Sequence, residues 1–188
     1  MTCLRLTMAC WLILWAYWVF YSIGNKRTVY QPNRWGRVLM AALTALSYLL
    51  LYLPQLSVGF LGWRLFPRND FASVAGLVLC VTGVAFAMWA RRTINTNWSA
   101  MVALKEDHEL VREGPYAIVR HPIYTGLLLS ATGTAIVLGE VRGAACVVLM
   151  AAAFLWKISL EECLMRKQFS EAYPAYESRV KRLFPFLY

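Results

Sequence analysis

The sequence predicts an all-α, polytopic membrane protein with about five transmembrane helices and a C-terminal interfacial helix. Hydrophobic residues make up 60% of the 188 residues and charged residues only 15%, whereas an ordinary soluble domain carries roughly 25% charge. Five apolar stretches reach the roughly 17–25 residues that a helix needs to cross a bilayer. A soluble globular domain is therefore excluded. Because no internal repeat or low-complexity linker interrupts the chain, we expect one integral membrane domain over residues 1–188.

The apolar stretches place the spans at about residues 6–23, 38–63, 71–90, 122–139 and 143–160. We expect the first span to be retained, because its apolar part is too long and too aromatic for a signal peptide. The second span contains Pro54. Proline has no backbone N–H to donate within a helix, so this residue predicts a kink or a break there.

The basic residues predict the orientation of the chain. All but four of the 19 lysines and arginines lie in the first loop, in the third loop, or at or beyond the end of the fifth span, the exceptions being Arg5, Arg64, Arg68 and Arg142. The positive-inside rule therefore places the third loop and the C-terminus in the cytoplasm and the N-terminus outside. On this interpretation the net charge of +9 faces anionic lipid. We predict the bilayer as a partner and no nucleic-acid partner.

Cysteine and histidine usage predicts neither a disulfide framework nor a metal centre. The five cysteines form no CxxC pair, and most of them lie in or near apolar runs. Two histidines are too few for a histidine-built site. No metal ion is expected as a cofactor.

The last two spans form a hairpin with arms of equal length. About 18 residues separate Pro122 from Glu140, and about 18 separate Gly143 from Glu161, so each arm rises roughly 27 Å. This arithmetic brings His121 and the pair Glu161-Glu162 to the same depth on the cytoplasmic face. Pro122 suits the first turn of a helix, whose N-terminus directs partial positive charge to the same place.

Two further basic residues join this patch, and each has a simpler interpretation. Lys157 lies four residues before Glu161, on the same helical face and one turn deeper in the membrane. Arg120 and Lys157 could be side chains that snorkel to the surface, and His121 could be a helix cap. Glu161 and Glu162 could mark a solvated helix end, although acids there oppose the helix dipole. Their convergence favours a functional site.

Aromatic residues recur after the fifth span at intervals of four, three, four and four residues, namely Phe169, Tyr173, Tyr176, Val180 and Phe184. This spacing predicts a helix with one apolar face lying at the membrane interface, broken or restarted at Pro174. Two roles are open for this helix: it adheres to the membrane, or it covers a site.

Several motifs resemble the isoprenylcysteine carboxyl methyltransferase family. They are Gly114-Pro115-Tyr116, the run Arg120-His121-Pro122-Ile123-Tyr124-Thr125-Gly126, the pair Glu161-Glu162, and the later Phe169, Tyr173, Tyr176, Arg179-Val180 and Phe184-Pro185-Phe186. Asn97-Trp98-Ser99 and His108-Glu109-Leu110-Val111 are similar to the family's third loop. The resemblance covers about half of the chain, and the related phospholipid N-methyltransferases share its central motifs.

The resemblance implies a membrane-embedded methyltransferase that uses S-adenosyl-L-methionine. By this analogy the half of the chain from residue 91 to 188 holds the cofactor in a pocket that faces the cytoplasm. The residues expected to bind it are His108, Glu109, Leu110, Val111, Tyr116, Arg120, His121, Pro122, Ile123, Tyr124 and Glu161.

Lys157 occupies the position at which the family has a substrate-orienting arginine, so we assign it as a catalytic and substrate-binding residue. Lysine keeps the positive charge but loses the forked geometry that suits a carboxylate. Asn97 and Trp98 are the other expected substrate contacts. The chain also departs from the family at Ser170, Met165 and Ala103.

The predicted substrate is an amphiphile that carries a carboxylate, such as a prenylated C-terminal cysteine or a lipid-like acid. A carboxylate is already anionic at neutral pH, whereas an amine must lose a proton. If the acceptor were an ethanolamine phospholipid, Glu162 would be the candidate catalytic base. The sequence is also compatible with a nicotinamide-dependent membrane reductase and with a non-enzymatic membrane protein.

Overall fold

The computed structural model describes residues 2–22, 28–30, 34–95, 104–105 and 110–185. The helices in these ranges are α1 (Thr2–Ser22), α2 (Arg34–Tyr52), α3 (Asp70–Ile94), α4 (Pro122–Leu138), α5 (Val141–Gln168) and α6 (Ala172–Glu177). Two short antiparallel strands, β1 (Thr28–Tyr30) and β2 (Leu104–Lys105), pair with one another. The predicted all-α fold class is confirmed.

Four of the helices, α1, α2, α3 and α5, are long and apolar enough to cross a membrane, and α4 is an apolar helix of 17 residues. Besides the side chains of their core, these helices expose large apolar side chains, among them Leu12, Phe20, Phe71, Val78 and Val148. In a bilayer such side chains face lipid. The chain is therefore an integral, multi-pass membrane protein.

The second predicted span is divided where the sequence indicated. Helix α2 ends at Tyr52, and Pro54 begins a short 3-10 turn over Pro54–Leu56 that is followed by another over Gly59–Gly62. The break at Pro54 is confirmed, because proline cannot donate the hydrogen bond that would continue the helix. The expectation of one span reaching residue 63 is wrong.

The chain after this break is fixed to the turn between α4 and α5. The amide of Leu65 donates to the carbonyl of Gly139 at 2.9 Å, and the amide of Val141 donates to the carbonyl of Trp63 at 2.9 Å. Arg142 donates to the carbonyl of Leu50 at 3.2 Å. These bonds hold the closed end of the α4–α5 hairpin in register with α2.

Helices α3 and α4 touch along their backbones through glycines. A Cβ atom added to Gly126 would lie 2.6 Å from the carbonyl oxygen of Gly83 and 2.7 Å from the amide nitrogen of Ala87. Small residues permit this close approach between membrane helices. The indole of Trp11 in α1 donates to Thr134 Oγ1 of α4 at 3.1 Å, and the same hydroxyl lies 3.6 Å from Cys80 Sγ of α3. Helix α4 is therefore packed against both α1 and α3, which fixes the position of its first turn.

Helix α5 is longer than its apolar stretch. It continues to Gln168, beyond the predicted end at residue 160. Glu161 and Glu162 consequently lie inside the helix, so the simpler alternative, that they mark a solvated helix end, is wrong. Their side chains project from consecutive positions, about 100° apart around the helix axis.

The C-terminal aromatic stripe is not one helix. Only Ala172–Glu177 is helical, with Tyr173 and Tyr176 buried, and the chain leaves the helix at Ser178. The residues that follow form a parallel bridge between Lys181 and Val119. A continuing helix would use its carbonyls internally, whereas here they pair with the segment that precedes α4.

Candidate active site

The start of α4 and the middle of α5 bring an imidazole, a phenol and a carboxylate together. His121 Nδ1 lies 3.6 Å from Glu161 Oε2. The hydroxyl of Tyr124 donates to Glu161 Oε1 at 2.6 Å. The predicted meeting of the two hairpin arms is confirmed, and Glu161 receives contacts from both residues of the α4 turn.

Lys157 lies one helical turn from Glu161 and points into the same site. Its Nζ is 4.0 Å from Glu161 Oε1 and 5.2 Å from the centroid of the Tyr124 ring. The ring of Phe154 packs 4.9 Å from that of Tyr124. Only 11% of the Lys157 side chain is exposed, so it does not snorkel to solvent. A carboxylate and an aromatic face both stabilise its positive charge.

Glu162 is fully buried and belongs to a different set of contacts. Its Oε1 accepts two hydrogen bonds from Arg120, at 2.7 Å and 3.1 Å, and lies 3.4 Å from His121 Nε2. Its Oε2 accepts from Arg182 at 3.0 Å and from Arg166 at 3.5 Å. Because three guanidinium groups stabilise this carboxylate as an anion, its environment does not suit the base that an amine acceptor would need.

Arg120 links α5 to the C-terminal segment. Besides Glu162, its guanidinium donates to the carbonyl of Glu177 at 3.2 Å and to the carbonyl of Val180. Only 6% of the side chain is exposed, so Arg120 is not a snorkelling side chain either. Arg120 therefore joins α5 to the C-terminal segment, and its guanidinium N–H groups donate to protein groups.

The C-terminal segment holds the turn that carries His121. The amide of Arg120 donates to the carbonyl of Lys181 at 2.8 Å, and that of His121 donates to the carbonyl of Arg182 at 3.0 Å. The hydroxyl of Thr125 donates to the carbonyl of Leu183 at 2.7 Å. The position of the imidazole therefore depends on residues about 60 positions later in the chain.

Three residues of this network were not predicted from the sequence, namely Arg166, Glu177 and Arg182. Arg166 donates to Glu177 Oε1 at 2.7 Å as well as approaching Glu162. The four-residue spacing of Glu162 and Arg166 was the signal in the sequence. The contacts of Arg182 and Glu177 depend on how the C-terminal segment folds back, which local spacing does not indicate.

Tyr116 forms one wall of the site. It lies in the turn Gly114–Ala117 and is buried against Ala90 and Ile123, with Val111 beside them. Its carbonyl accepts a hydrogen bond from Tyr176 at 2.6 Å. Burial, followed by the negative charge of Glu161, raises the pKa of Tyr116 well above its usual value. This phenol is therefore neutral at physiological pH.

Several other predicted site residues can be placed. Pro122 is buried at the first position of α4, and Leu110 is half-buried. Four predicted residues lie outside the described residues, namely His108, Glu109, Asn97 and Trp98.

The Glu161 carboxylate and the rings beside it fit a nucleoside cofactor. The Glu161 side chain is 22% exposed, so its carboxylate is accessible to hydroxyl or ammonium donors. Two rings contact this carboxylate, those of His121 and Tyr124, and they stack with centroids 5.7 Å apart. A carboxylate can accept hydrogen bonds from a sugar hydroxyl or an ammonium group, and the neighbouring ring faces can stack on a purine.

A known family matches the helices that build this site. The family model described as phospholipid methyltransferase matches residues 71–172, which is more than half of the chain. The chain belongs to this family. The matched range runs from α3 to the beginning of α6 and includes His121, Lys157 and Glu161, so the site described above lies within the phospholipid methyltransferase region.

Relatives with similar sequences are named as protein-S-isoprenylcysteine O-methyltransferases. A probable protein-S-isoprenylcysteine O-methyltransferase of Oryza sativa subsp. indica is 29% identical over 120 residues, covering 62% of this chain and 63% of that protein. Protein-S-isoprenylcysteine O-methyltransferase B of Arabidopsis thaliana is 30% identical over 115 residues, covering 60% of this chain and 58% of that protein. The match thus spans less than two thirds of the length of these relatives.

The fold of this phospholipid methyltransferase family member is also found in a solved structure. The structure of the eukaryotic intramembrane Ras methyltransferase, isoprenylcysteine carboxyl methyltransferase, superposes with a TM-score of 0.54 at 24% sequence identity. The superposition covers 82% of this chain and 54% of that protein. The similarity shows a shared polytopic membrane fold.

Proposed function

We propose that the chain is an S-adenosyl-L-methionine-dependent methyltransferase that O-methylates a carboxylate on a membrane-borne amphiphile. The observation that carries this proposal is the 3.6 Å approach of His121 to Glu161 from opposite arms of the hairpin. The names of the relatives support a prenylated C-terminal cysteine as the substrate class. An analogous lipid-like acid meets the same chemical requirements.

The residues that would hold the cofactor are Glu161, His121, Tyr124 and Tyr116, with Val111 and Ile123 completing an apolar wall. Glu161 would accept hydrogen bonds from hydroxyl or ammonium groups, and the rings would contact the purine. The cofactor supplies a methyl group on a positively charged sulfur. The protein contributes by aligning the two reactants and by keeping water away from them.

Lys157 supports an anionic acceptor. Its ammonium group lies beside Glu161 and Tyr124, one turn deeper in the bilayer than the carboxylate. At that position it would attract and orient a substrate carboxylate, which needs no catalytic base. An ammonium acceptor would be repelled by Lys157, and the arginine-bound Glu162 is poorly suited to remove its proton. These contacts favour O-methylation over N-methylation of an ethanolamine phospholipid.

The orientation belongs to the same proposal. The site end of the hairpin carries Arg120, Arg166 and Arg182, whereas the opposite end carries Arg142. The excess of basic residues near the site favours a cytoplasmic active site and an N-terminus on the outer side. The substrate would then enter from the bilayer with its head group at the cytoplasmic surface.

Methyl transfer tests the proposal directly. Purified protein in phosphatidylcholine nanodiscs would be incubated with deuterated-methyl S-adenosyl-L-methionine, N-acetyl-farnesylcysteine and phosphatidylethanolamine, and the products analysed by mass spectrometry. We expect a deuterated methyl ester on the farnesylcysteine. Label on the phosphatidylethanolamine nitrogen would instead establish N-methylation. Hydride transfer from labelled NADPH to a lipid, without methyl transfer, would establish a reductase.

Replacing Lys157 by alanine should separate binding of the cofactor from turnover. Removing the cation should lower kcat/KM for a carboxylate acceptor by on the order of 10–100-fold, the value of a hydrogen bond to a charged group. The affinity for S-adenosylhomocysteine should stay close to that of the unaltered protein. Steady-state kinetics and calorimetry measure the two quantities.

Lys157→Arg is the matched variant, because it keeps the charge and supplies the fork that the family uses. It should retain most of the activity. If Lys157→Ala weakened binding of S-adenosylhomocysteine as much as turnover, Lys157 would belong to the cofactor site rather than to the substrate site.

A further inference from the structure

A shallow cleft of about 280 Å³ opens beside the candidate active site, where the C-terminal segment crosses the start of α4. Its lining residues are Arg120, Glu177, Lys181 and Arg182. Arg120 directly precedes the apolar helix α4, which begins at Pro122. The cleft therefore lies at the boundary between the apolar part of the hairpin and its polar end, the depth at which lipid head groups are found.

Positive charge exceeds negative charge around this cleft. Two carboxylates, Glu162 and Glu177, are paired with three arginines, since Arg166 and Arg120 contact both acids and Arg182 contacts Glu162. Hydrogen bonds from Arg166 hold the pKa of Glu177 below its usual range, so it counts as a full negative charge at neutral pH. Lys181 and Arg179 add two further exposed cations on the same segment. The surplus favours an anionic ligand.

Each of the two chain segments that form the cleft carries an exposed apolar side chain within two residues of a lining residue. Ile118 is 43% exposed and immediately precedes Val119, the bridge partner of Lys181. Phe184 is 44% exposed and lies two residues beyond Arg182. An exposed aliphatic and an exposed aromatic side chain beside cations are typical of a surface that contacts both acyl chains and phosphates.

We infer that this cleft binds the phosphate of an anionic phospholipid at the cytoplasmic membrane surface. Lys181 and Arg182 contact the phosphate, and Ile118 and Phe184 contact the acyl chains. The same segment holds the backbone of Arg120 and His121 through Lys181 and Arg182. A bound lipid consequently stabilises the C-terminal segment, which positions the imidazole of His121.

Lipid binding to the purified protein in detergent tests this inference by native mass spectrometry, independently of methyl transfer. The probes are dioleoyl phosphatidylglycerol, dioleoyl phosphatidylcholine and inorganic phosphate. We expect one phosphatidylglycerol to be retained in preference to phosphatidylcholine. Lys181→Gln should weaken this binding about fivefold, the effect of one basic residue at an anionic surface.

Lys167→Gln is the matched control, because Lys167 is exposed at the end of α5 and does not line the cleft. It should bind phosphatidylglycerol like the unaltered protein. Equal affinity for the two lipids, or the same loss in both variants, would overturn the inference. Binding of inorganic phosphate as tightly as phosphatidylglycerol would show a free-anion site and would also overturn it. An unchanged melting temperature of both variants in phosphatidylcholine verifies that they are folded.

Discussion

Replacing Glu161 by glutamine should abolish measurable binding of S-adenosylhomocysteine. The carboxylate accepts the Tyr124 hydroxyl at 2.6 Å and lies 3.6 Å from His121 Nδ1 and 4.0 Å from Lys157 Nζ. The amide keeps the shape of the side chain but loses the charge and one acceptor oxygen. Loss of hydrogen bonds to a charged group costs about 1.5–3 kcal/mol each, enough to weaken binding by on the order of 10–100-fold for a single bond. Calorimetry in detergent measures this change.

His121→Ala should produce a similar loss, because the imidazole contacts both Glu161 and Glu162. Glu171→Gln provides the matched control, since Glu171 is an exposed glutamate that precedes α6. This variant should bind S-adenosylhomocysteine normally. Retention of full affinity by Glu161→Gln, in a protein with an unchanged melting temperature, would remove Glu161 from the cofactor site.

Replacing Glu162 by alanine should strongly destabilise the protein. The fully buried carboxylate contacts Arg120, Arg182 and Arg166. Removing one partner of a buried ion pair leaves uncompensated charge and costs about 3–5 kcal/mol. For a chain of this length, that corresponds to an apparent melting temperature lower by on the order of 10 °C. Thermal unfolding in detergent measures it.

The same variant should release the C-terminal segment. Arg182 loses its ion pair with Glu162, so trypsin should cleave at Lys181 or Arg182 faster than in the unaltered protein. Glu177→Gln is the control, because its partly exposed ion pairs are worth about 0–1 kcal/mol. If Glu162→Ala and Glu177→Gln had equal melting temperatures and cleavage rates, Glu162 would not be the anchor of this segment.

The hairpin could be predicted from the sequence because it depends on two local quantities. The lengths of the apolar stretches and the rise per residue of a helix set where each arm ends. The contact between His121 and Glu161 follows from these lengths. Pro54 ended α2 for an equally local reason, the missing amide hydrogen.

The C-terminal half of the network could not be predicted in this way. The spacing of Tyr173, Tyr176 and Val180 indicated a helix, broken or restarted at Pro174, that continues past Val180. In the structure the backbone leaves the helix at Ser178 to pair with the segment before α4. That pairing joins residues about 60 positions apart, and periodicity within a segment does not reveal it. The contacts of Arg182 with Glu162 follow from it.

The different roles of the two glutamates follow from the extension of α5. Consecutive residues in a helix project about 100° apart, so Glu161 and Glu162 face different neighbours. Glu161 faces Tyr124 and Lys157, whereas Glu162 faces the arginines of the C-terminal network. From the sequence we expected Glu161 to bind the cofactor and Glu162 to be the base for an amine acceptor, but the ion pairs of Glu162 with the arginines were not predicted.

The cytoplasmic end of the α4–α5 hairpin is, on this proposal, a binding site for S-adenosyl-L-methionine. Isothermal titration of the purified protein in detergent with S-adenosylhomocysteine, and separately with NADPH, tests it most directly. We expect saturable one-site binding of S-adenosylhomocysteine and no heat with NADPH. A folded protein that binds NADPH, or that gives no heat with S-adenosylhomocysteine, would contradict the proposal.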